Sequence, residues 1–220
     1  MKAARVARAA QSTVSDSDPQ PATTDGRDRC DDGQVQTLDT NRLRLRAWTA
    51  AAADVDFVFD TYSRWEVQRF IGRVPRVMED RNEAEAAITR WRSLSDSVHG
   101  IWAVERREDG QLLGTLLLKP IPASGDQVPL PPSGDTEIGW HFHPDAWGQG
   151  YATEAAARVL AHAFGAGLSE VVAVTNEANA ASQGVSKRIG MVHQGQTNRY
   201  YDATCELFTA TSTEVSRQDG

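Results

Sequence analysis

The chain has 220 residues, the length of one domain or at most two. Its 40% apolar and 24% charged residues are ordinary for a globular protein, and no apolar run is long enough for a membrane helix. Thirty acidic against 23 basic side chains leave a net charge of −7, opposite in sign to proteins whose task is to coat nucleic acid. Two cysteines, Cys30 and Cys205, build neither a disulfide framework nor a zinc site. A reduced, cytoplasmic protein without a metal, a membrane or a nucleic-acid partner is expected.

Residues 1–37 contain no Leu, Ile, Phe, Trp or Tyr. A segment so poor in large apolar side chains cannot offset the entropy of ordering its backbone, so a disordered tail is expected. Its basic start lacks the apolar core of a signal peptide. Residues 38–212 form the expected folded domain, and 213–220 are expected to fray.

In chain order, Leu43 and Leu45 alternate with Arg42, Arg44 and Arg46, the period of a half-buried strand with a solvated arginine face. Segments 50–62 and 82–94 read as helices starting near Asp54 and Asn82. Segments 101–105 and 112–118 read as strands joined by a turn at Gly110. The stretch 120–134 carries five of the nine prolines and is expected to be a loop, either near a substrate or a tolerated insertion. Segment 136–143 alternates again, with Ile138, Trp140 and Phe142 on one face and Glu137, Gly139, His141 and His143 on the other. Trp48, Trp65, Trp91 and Trp102 read as core or partly buried packing residues.

Ala156, Val159, Leu160, Ala163 and Phe164 then mark the core face of a helix ended by Gly165 and Gly167, with Glu154 and Arg158 paired on its solvent side. A short strand follows at 171–174. Asn179 caps a second helix with a stripe of Ala181, Val185 and Ile189, and strands return near 191–194 and 204–210. Cys205 reads as an inert packed thiol. The order implies an α/β (or α+β) domain with a mixed sheet flanked by helices.

Between strand and helix lies Trp147-Gly-Gln-Gly-Tyr-Ala-Thr153. Gly148 and Gly150 permit a tight turn, and a helix starting there aims free N–H groups and its positive dipole end at the loop. Such an element suits a phosphate or pyrophosphate, although a purely structural turn would use the same residues. No Gly-Lys-Ser/Thr follows, and the third glycine of a dinucleotide fingerprint is missing.

The run from Glu137 to Ala155 resembles the central motif of GNAT-type N-acetyltransferases, nearest the RimJ/RimL-like branch of ribosomal-protein N-terminal acetylases. A second motif, from Asn179 to Met191, and the opening Thr40 to Arg46 resemble the same branch; the similarity spans about 38–211. The resemblance implies a single GNAT-like domain with a mostly antiparallel sheet. It implies acetyl-CoA as cosubstrate, a primary amine (small molecule or protein N-terminus) as acceptor, and a monomer or homodimer. It places the CoA pyrophosphate on Gly148, Gln149, Gly150, Tyr151, Ala152 and Thr153, and the pantetheine arm on the main chain of Phe142 and His143. Asn179 and Ser182 would meet the cofactor further along, with Lys187 or Arg188 either near the adenosine phosphate or solvated. Trp65 and Phe70 lie where relatives line the acceptor pocket.

Direct transfer from a thioester needs alignment, an oxyanion site, a proton acceptor and a donor to the departing thiolate. Glu137, on the polar strand face, is the candidate acceptor unless it is simply an exposed carboxylate; His141 is the second. The resemblance implies Ser182 as donor, with Ser186, where relatives often carry tyrosine, as the alternative. A non-catalytic acyl-CoA-binding module on the same fold is the competing reading.

Overall fold

The computed structural model describes residues 35–212, so the expectations for 1–34 and 213–220 lie outside the described residues. Val35, the first described residue, is buried within the segment expected to be a tail. Leu43 and Leu45 are buried on β2 (Leu43–Ala47), as their alternation predicts. This strand pairs antiparallel with β1 (Leu38–Asp39) and β3 (Gly100–Arg106). A turn with Gly110 at φ +73° leads into β4 (Leu112–Pro122), and β5 (Pro132–Phe142) returns antiparallel, setting Lys119 opposite Glu137 and Thr115 opposite His141. The sheet continues through β6 (Glu170–Thr175), β8 (Cys205–Thr211) and β7 (Val192–Thr197) in the order β1-β2-β3-β4-β5-β6-β8-β7. Every pairing is antiparallel except β5 with β6, which run parallel and meet at the single register point Glu137 to Val172.

The proline-rich stretch is not wholly a loop. Pro120 pairs opposite Thr136 and Pro122 opposite Pro132, leaving only 123–131 between the strands. Opposite Gly100 at Leu118, β4 reaches the end of β3. Beyond it β3 no longer pairs with β4, and the next bridge on that side is Ala123 to Tyr200, so the missing N–H of Pro120 and Pro122 costs no bond to β3.

Alternate residues of β3 divide the core between the two faces of the sheet. Ile101 and Ala103 pack with Trp48, Val55, Val58, Tyr62, Ala84 and Ile88, from or beside α1 (Ala52–Tyr62) and α3 (Arg81–Ser93). Trp102 and Val104 belong to the opposite cluster, with Ala156, Val159, Leu160 and Ala163 of α4 (Tyr151–Gly165) and Val185 of α5 (Ala180–Arg188). The α3 cap is Asp80, accepting from the amides of Asn82 and Glu83, rather than Asn82 itself. A short helix that no periodicity marked, α2 (Trp65–Gln68), follows α1. Trp48 and Trp102 are buried, but Trp65 is 56% exposed and packs in no core. On α5 the expected stripe is displaced: Ala181 is exposed, and Ser186 is buried beside Val185 and Ile189.

Two of the three arginines expected to be solvated have other tasks. Arg46 donates from Nη1 and Nη2 to Asp54, both at 2.8 Å, and from Nε to Glu105 at 2.6 Å. Asp54, 2% exposed, also accepts from the Thr49 amide and hydroxyl. Burial works against the charged carboxylate, but the hydrogen bonds from Arg46 and Thr49 outweigh it and hold Asp54 below its ordinary value of 3.8. The N-cap residue Ala51 offers no side-chain cap, so this pair is what fastens the start of α1 to β2. Asp54→Asn should cost about 3 kcal/mol, the low end for breaking a buried pair because Arg46 stays partly solvated. A depressed folded-state pKa gives stability that is present above the unfolded value and lost as pH falls. Urea denaturation should therefore show the gap between the two proteins at pH 7 and its closure in acid, below pH 3.8.

Candidate active site

After β5 the chain makes a 3-10 turn over Pro144–Ala146, and the Trp147 indole donates back to the Phe142 carbonyl at 2.8 Å. Gly148 (φ +74°) and Gly150 (φ +80°) both occupy the left-handed region, and Gly150 is the N-cap of α4. The first bond of the helix runs from the Glu154 amide to the Gly150 carbonyl at 3.0 Å. The amides of Tyr151, Ala152 and Thr153 precede it and have no acceptor within the helix.

Arg42 holds this loop. It donates from Nη1 to the Gln149 carbonyl (3.1 Å), pairs through Nε with Glu154 (2.6 Å), and lies over the Tyr151 ring at 4.7 Å. Glu154 thus pairs with Arg42 and with the Thr40 hydroxyl (2.6 Å) rather than along its helix with Arg158. Burial opposes that charge, but Thr40 and Arg42 outweigh it and hold the Glu154 carboxyl below the usual range.

A cavity of about 1140 Å³ opens where β5 and β6 part. It is lined by 137–142 of β5, by 173–176 at the end of β6, by the start of α4 and one face of α5, and across the opening by 66–73. Glu137, Phe142, Gly148, Gly150, Tyr151, Ala152, Thr153, Asn179, Ser182 and Ser186 all line it. Gln149 and His143 do not. The Gln149 side chain turns back to the Asp145 carbonyl, and the His143 amide donates to the Leu113 carbonyl while its Nε2 meets Asp60 at 3.1 Å. Asn179 caps α5 by accepting from the Ser182 amide at 3.2 Å. Ser186, 1% exposed, donates to the Ser182 carbonyl at 3.3 Å. Arg188 reaches across to the Thr153 hydroxyl (3.2 Å) and lines the cavity, whereas Lys187 is exposed outside it. Phe70 lines the cavity; Trp65 does not.

Two polar groups form the sheet side of this cavity. Glu137, 7% exposed, shares Oε1 between the Lys119 ammonium and the Tyr201 hydroxyl, and Lys119 Nζ lies 2.7 Å from that hydroxyl. Burial and the Glu137 charge push the Tyr201 phenol far up, so it remains a hydrogen-bond donor. The same two causes raise the thiol of Cys205, as an inert packed thiol requires. Further along β5, His141 Nδ1 lies 2.9 Å from the Tyr62 hydroxyl. Burial, aided by the Lys119 charge, pushes its pKa down to about 4, so the imidazole is neutral at pH 7. Among the described residues no group of three metal-ligating side chains occurs, and no helix is long and apolar enough to cross a membrane.

The family described as an acetyltransferase (GNAT) domain matches residues 42–192. This chain belongs to the GNAT acetyltransferase family. It is similar to the Bacillus subtilis protein named uncharacterized N-acetyltransferase YoaA, with 31% identity over 165 residues, 74% of this chain and 86% of that protein. It is also 31% identical over 122 residues to FsC-acetyl coenzyme A-N(2)-transacetylase of Aspergillus fumigatus, covering 55% and 52% of the two chains. Mycobacterium smegmatis RimJ, solved in complex with CoA-disulfide, shares the fold: TM-score 0.66 and 18% identity over 83% of this chain and 90% of that one.

The enzyme is therefore an acetyltransferase of a family that draws on acetyl-CoA, and its site contains residues that pattern reading passed over. Lys119 ends an apolar run and carries no signal until the β4–β5 register sets it against Glu137. Tyr201 lies in the β7–β8 connection, far from either motif, with φ +60°. Arg42 alternates like its neighbours, and only its contact with Gln149 separates it from them. Replacing Arg42 with Met should weaken coenzyme A binding about tenfold by freeing the loop, since one charged hydrogen bond is worth about 1.5–3 kcal/mol and this one is partly solvated. Arg44→Met, which removes only an exposed pair with Asp39, should leave binding unchanged in the same calorimetric titration.

Proposed function

We propose that this enzyme transfers the acetyl group of acetyl-CoA directly to a primary amine, of a small molecule or a protein N-terminus, with both substrates bound together. The observation that carries the reading is the single register point between β5 and β6 beside a helix start with three free amides. The loop amides and the left-handed glycines suit a diphosphate, and Gly148, Gly150, Tyr151, Ala152 and Thr153 are its cradle. Beyond Glu137 the two strands part, and the main chain of 138–142, apart from the Phe142 carbonyl that accepts from the Trp147 indole, offers groups toward β6 where an extended amide-bearing arm can bond as a strand would. The groups at 66–73 close the other side, where the acceptor enters.

The chemistry of the lining supports a ternary complex. An acyl-enzyme needs a thiolate or an activated hydroxyl, whereas the Cys205 thiol is held protonated and the Ser186 hydroxyl is committed to a carbonyl. A thioester is activated enough for a neutral amine to attack without either. In this reading Ser182, which lines the cavity, returns a proton to the departing thiolate, with Ser186 as the alternative. Glu137, the carboxylate expected to take the amine proton, has Oε1 engaged by Lys119 and Tyr201 and in this reading orders the acceptor side. Names of the relatives that specify N-acetyl transfer support an amine acceptor.

A ligand selective for the folded state stabilises it by about 2.7 kcal/mol at a hundred times its Kd. Acetyl-CoA at that excess should raise Tm by about 5–10 °C. Gly150→Asp should abolish the shift, because it forces a side chain at φ +80° and sets a carboxylate beside Arg42 Nη2, where it competes for the guanidinium that holds the loop. A panel of amines and peptides scored by free-thiol release then tests the acceptor. Thiol release above hydrolysis with any amine supports transfer, and its absence across the panel in a protein that binds acetyl-CoA overturns it.

A further inference from the structure

Beyond the carboxylate of Glu137, the polar face of β5 presents one more group to the cavity. His141 lies opposite Thr115 of β4 and lines the same cavity. Its Nδ1 is 2.9 Å from the Tyr62 hydroxyl, and the two rings meet edge-on at 5.7 Å and 89°. Tyr62 is itself buried and packed at 5.7 Å against Trp91, so the imidazole is held from behind by a rigid aromatic cluster. Its other nitrogen, Nε2, has no hydrogen-bond partner among the described residues.

We propose that His141, through Nε2, takes the proton from the attacking amine during acetyl transfer; the assignment rests on the amine reading above and adds the missing base to it. The tautomer required has hydrogen on Nδ1, donated to the Tyr62 oxygen. With Nδ1 engaged by Tyr62 and the ring lining the cavity, that tautomer leaves Nε2 as the nitrogen with the lone pair.

The step balances without another reagent. The neutral amine nitrogen bonds to the thioester carbon, the C–S bond breaks from the tetrahedral adduct, and the nitrogen loses one proton to Nε2. The imidazolium returns that proton to the departing thiolate by way of the Ser182 hydroxyl or cavity water, giving an amide, free coenzyme A thiol and the starting imidazole. The titratable and charged groups that face His141 are Tyr62 from α1, Lys119 from β4 and Glu137 on its own strand. Burial and the Lys119 charge keep the imidazole uncharged above about pH 5, so the lone pair is available throughout the neutral range. Glu137, by contrast, has Oε1 shared between an ammonium and a phenol.

The test uses the full chain and an amine found active in the panel. His141→Gln should lower kcat by about 10²–10⁴-fold, with the calorimetric Kd for acetyl-CoA and the Tm unchanged. His141→Ala should regain activity on addition of free imidazole, in proportion to its unprotonated fraction. Tyr62→Phe keeps the ring packing and should lower kcat with little change in KM, because the imidazole loses the group that sets its tautomer. If His141→Gln turns over within threefold of the parent, or the alanine variant binds acetyl-CoA normally and imidazole restores nothing, the assignment is wrong while amine transfer stands. A parent protein that acetylates no amine overturns both.

Discussion

Two parallel strands that touch at one register point are the constraint on which this site depends. An antiparallel neighbour would have zipped β5 shut along its whole length, as β4 does on the other side. Instead β5 and β6 share Glu137 and Val172 and then separate. The helix that connects them, α4, must begin at the mouth of the gap, because a parallel crossover leaves the sheet at the carboxyl end of the first strand. One topological fact thus brings together unpaired strand groups, a helix N-terminus and a cavity.

The helix N-terminus is useful only if the loop before it keeps its shape. Two left-handed glycines allow the shape, and Arg42 holds it from across the sheet, tying the Gln149 carbonyl and Glu154 to β2. The protein as a whole is acidic, yet the charged side chain that reaches this part of the cavity is cationic, Arg188 against Thr153, while Arg42 stands behind the loop paired with Glu154. Net charge describes how the molecule meets its surroundings, while the field at a site is set by the few charges near it. On the sheet side of the cavity the balance differs again, with Lys119 and Glu137 cancelling each other and neutral His141 and Tyr201 supplying the polar atoms.

The motif residues were legible because their chemistry is local. Gly148 and Gly150 announce a turn, the 3.6-residue stripe from Ala156 to Phe164 announces the helix after it, and Asn179 caps α5 in the way its position implies. Where a residue's task depends on a partner far along the chain, pattern alone misplaced it. Pro120 and Pro122 looked like breakers but sit where β4 has run past the end of β3. Arg46 looked solvated but is spent on Asp54. His143 alternates with His141, yet its amide and ring belong to Leu113 and Asp60 rather than to the cavity.

The amino-acid sequence by itself determined the family, through two motifs that resemble it, and, through periodicity and glycine placement within a few residues, most of the helices and strands and the turn at the start of α4. Only the tertiary structure decided which side chains share the cavity. Lys119, Glu137 and Tyr201 come from three separate elements, and His141 meets Tyr62 across 79 residues of chain. Pairing register and layer packing create those neighbours, and neither is written in the spacing of residues along one strand.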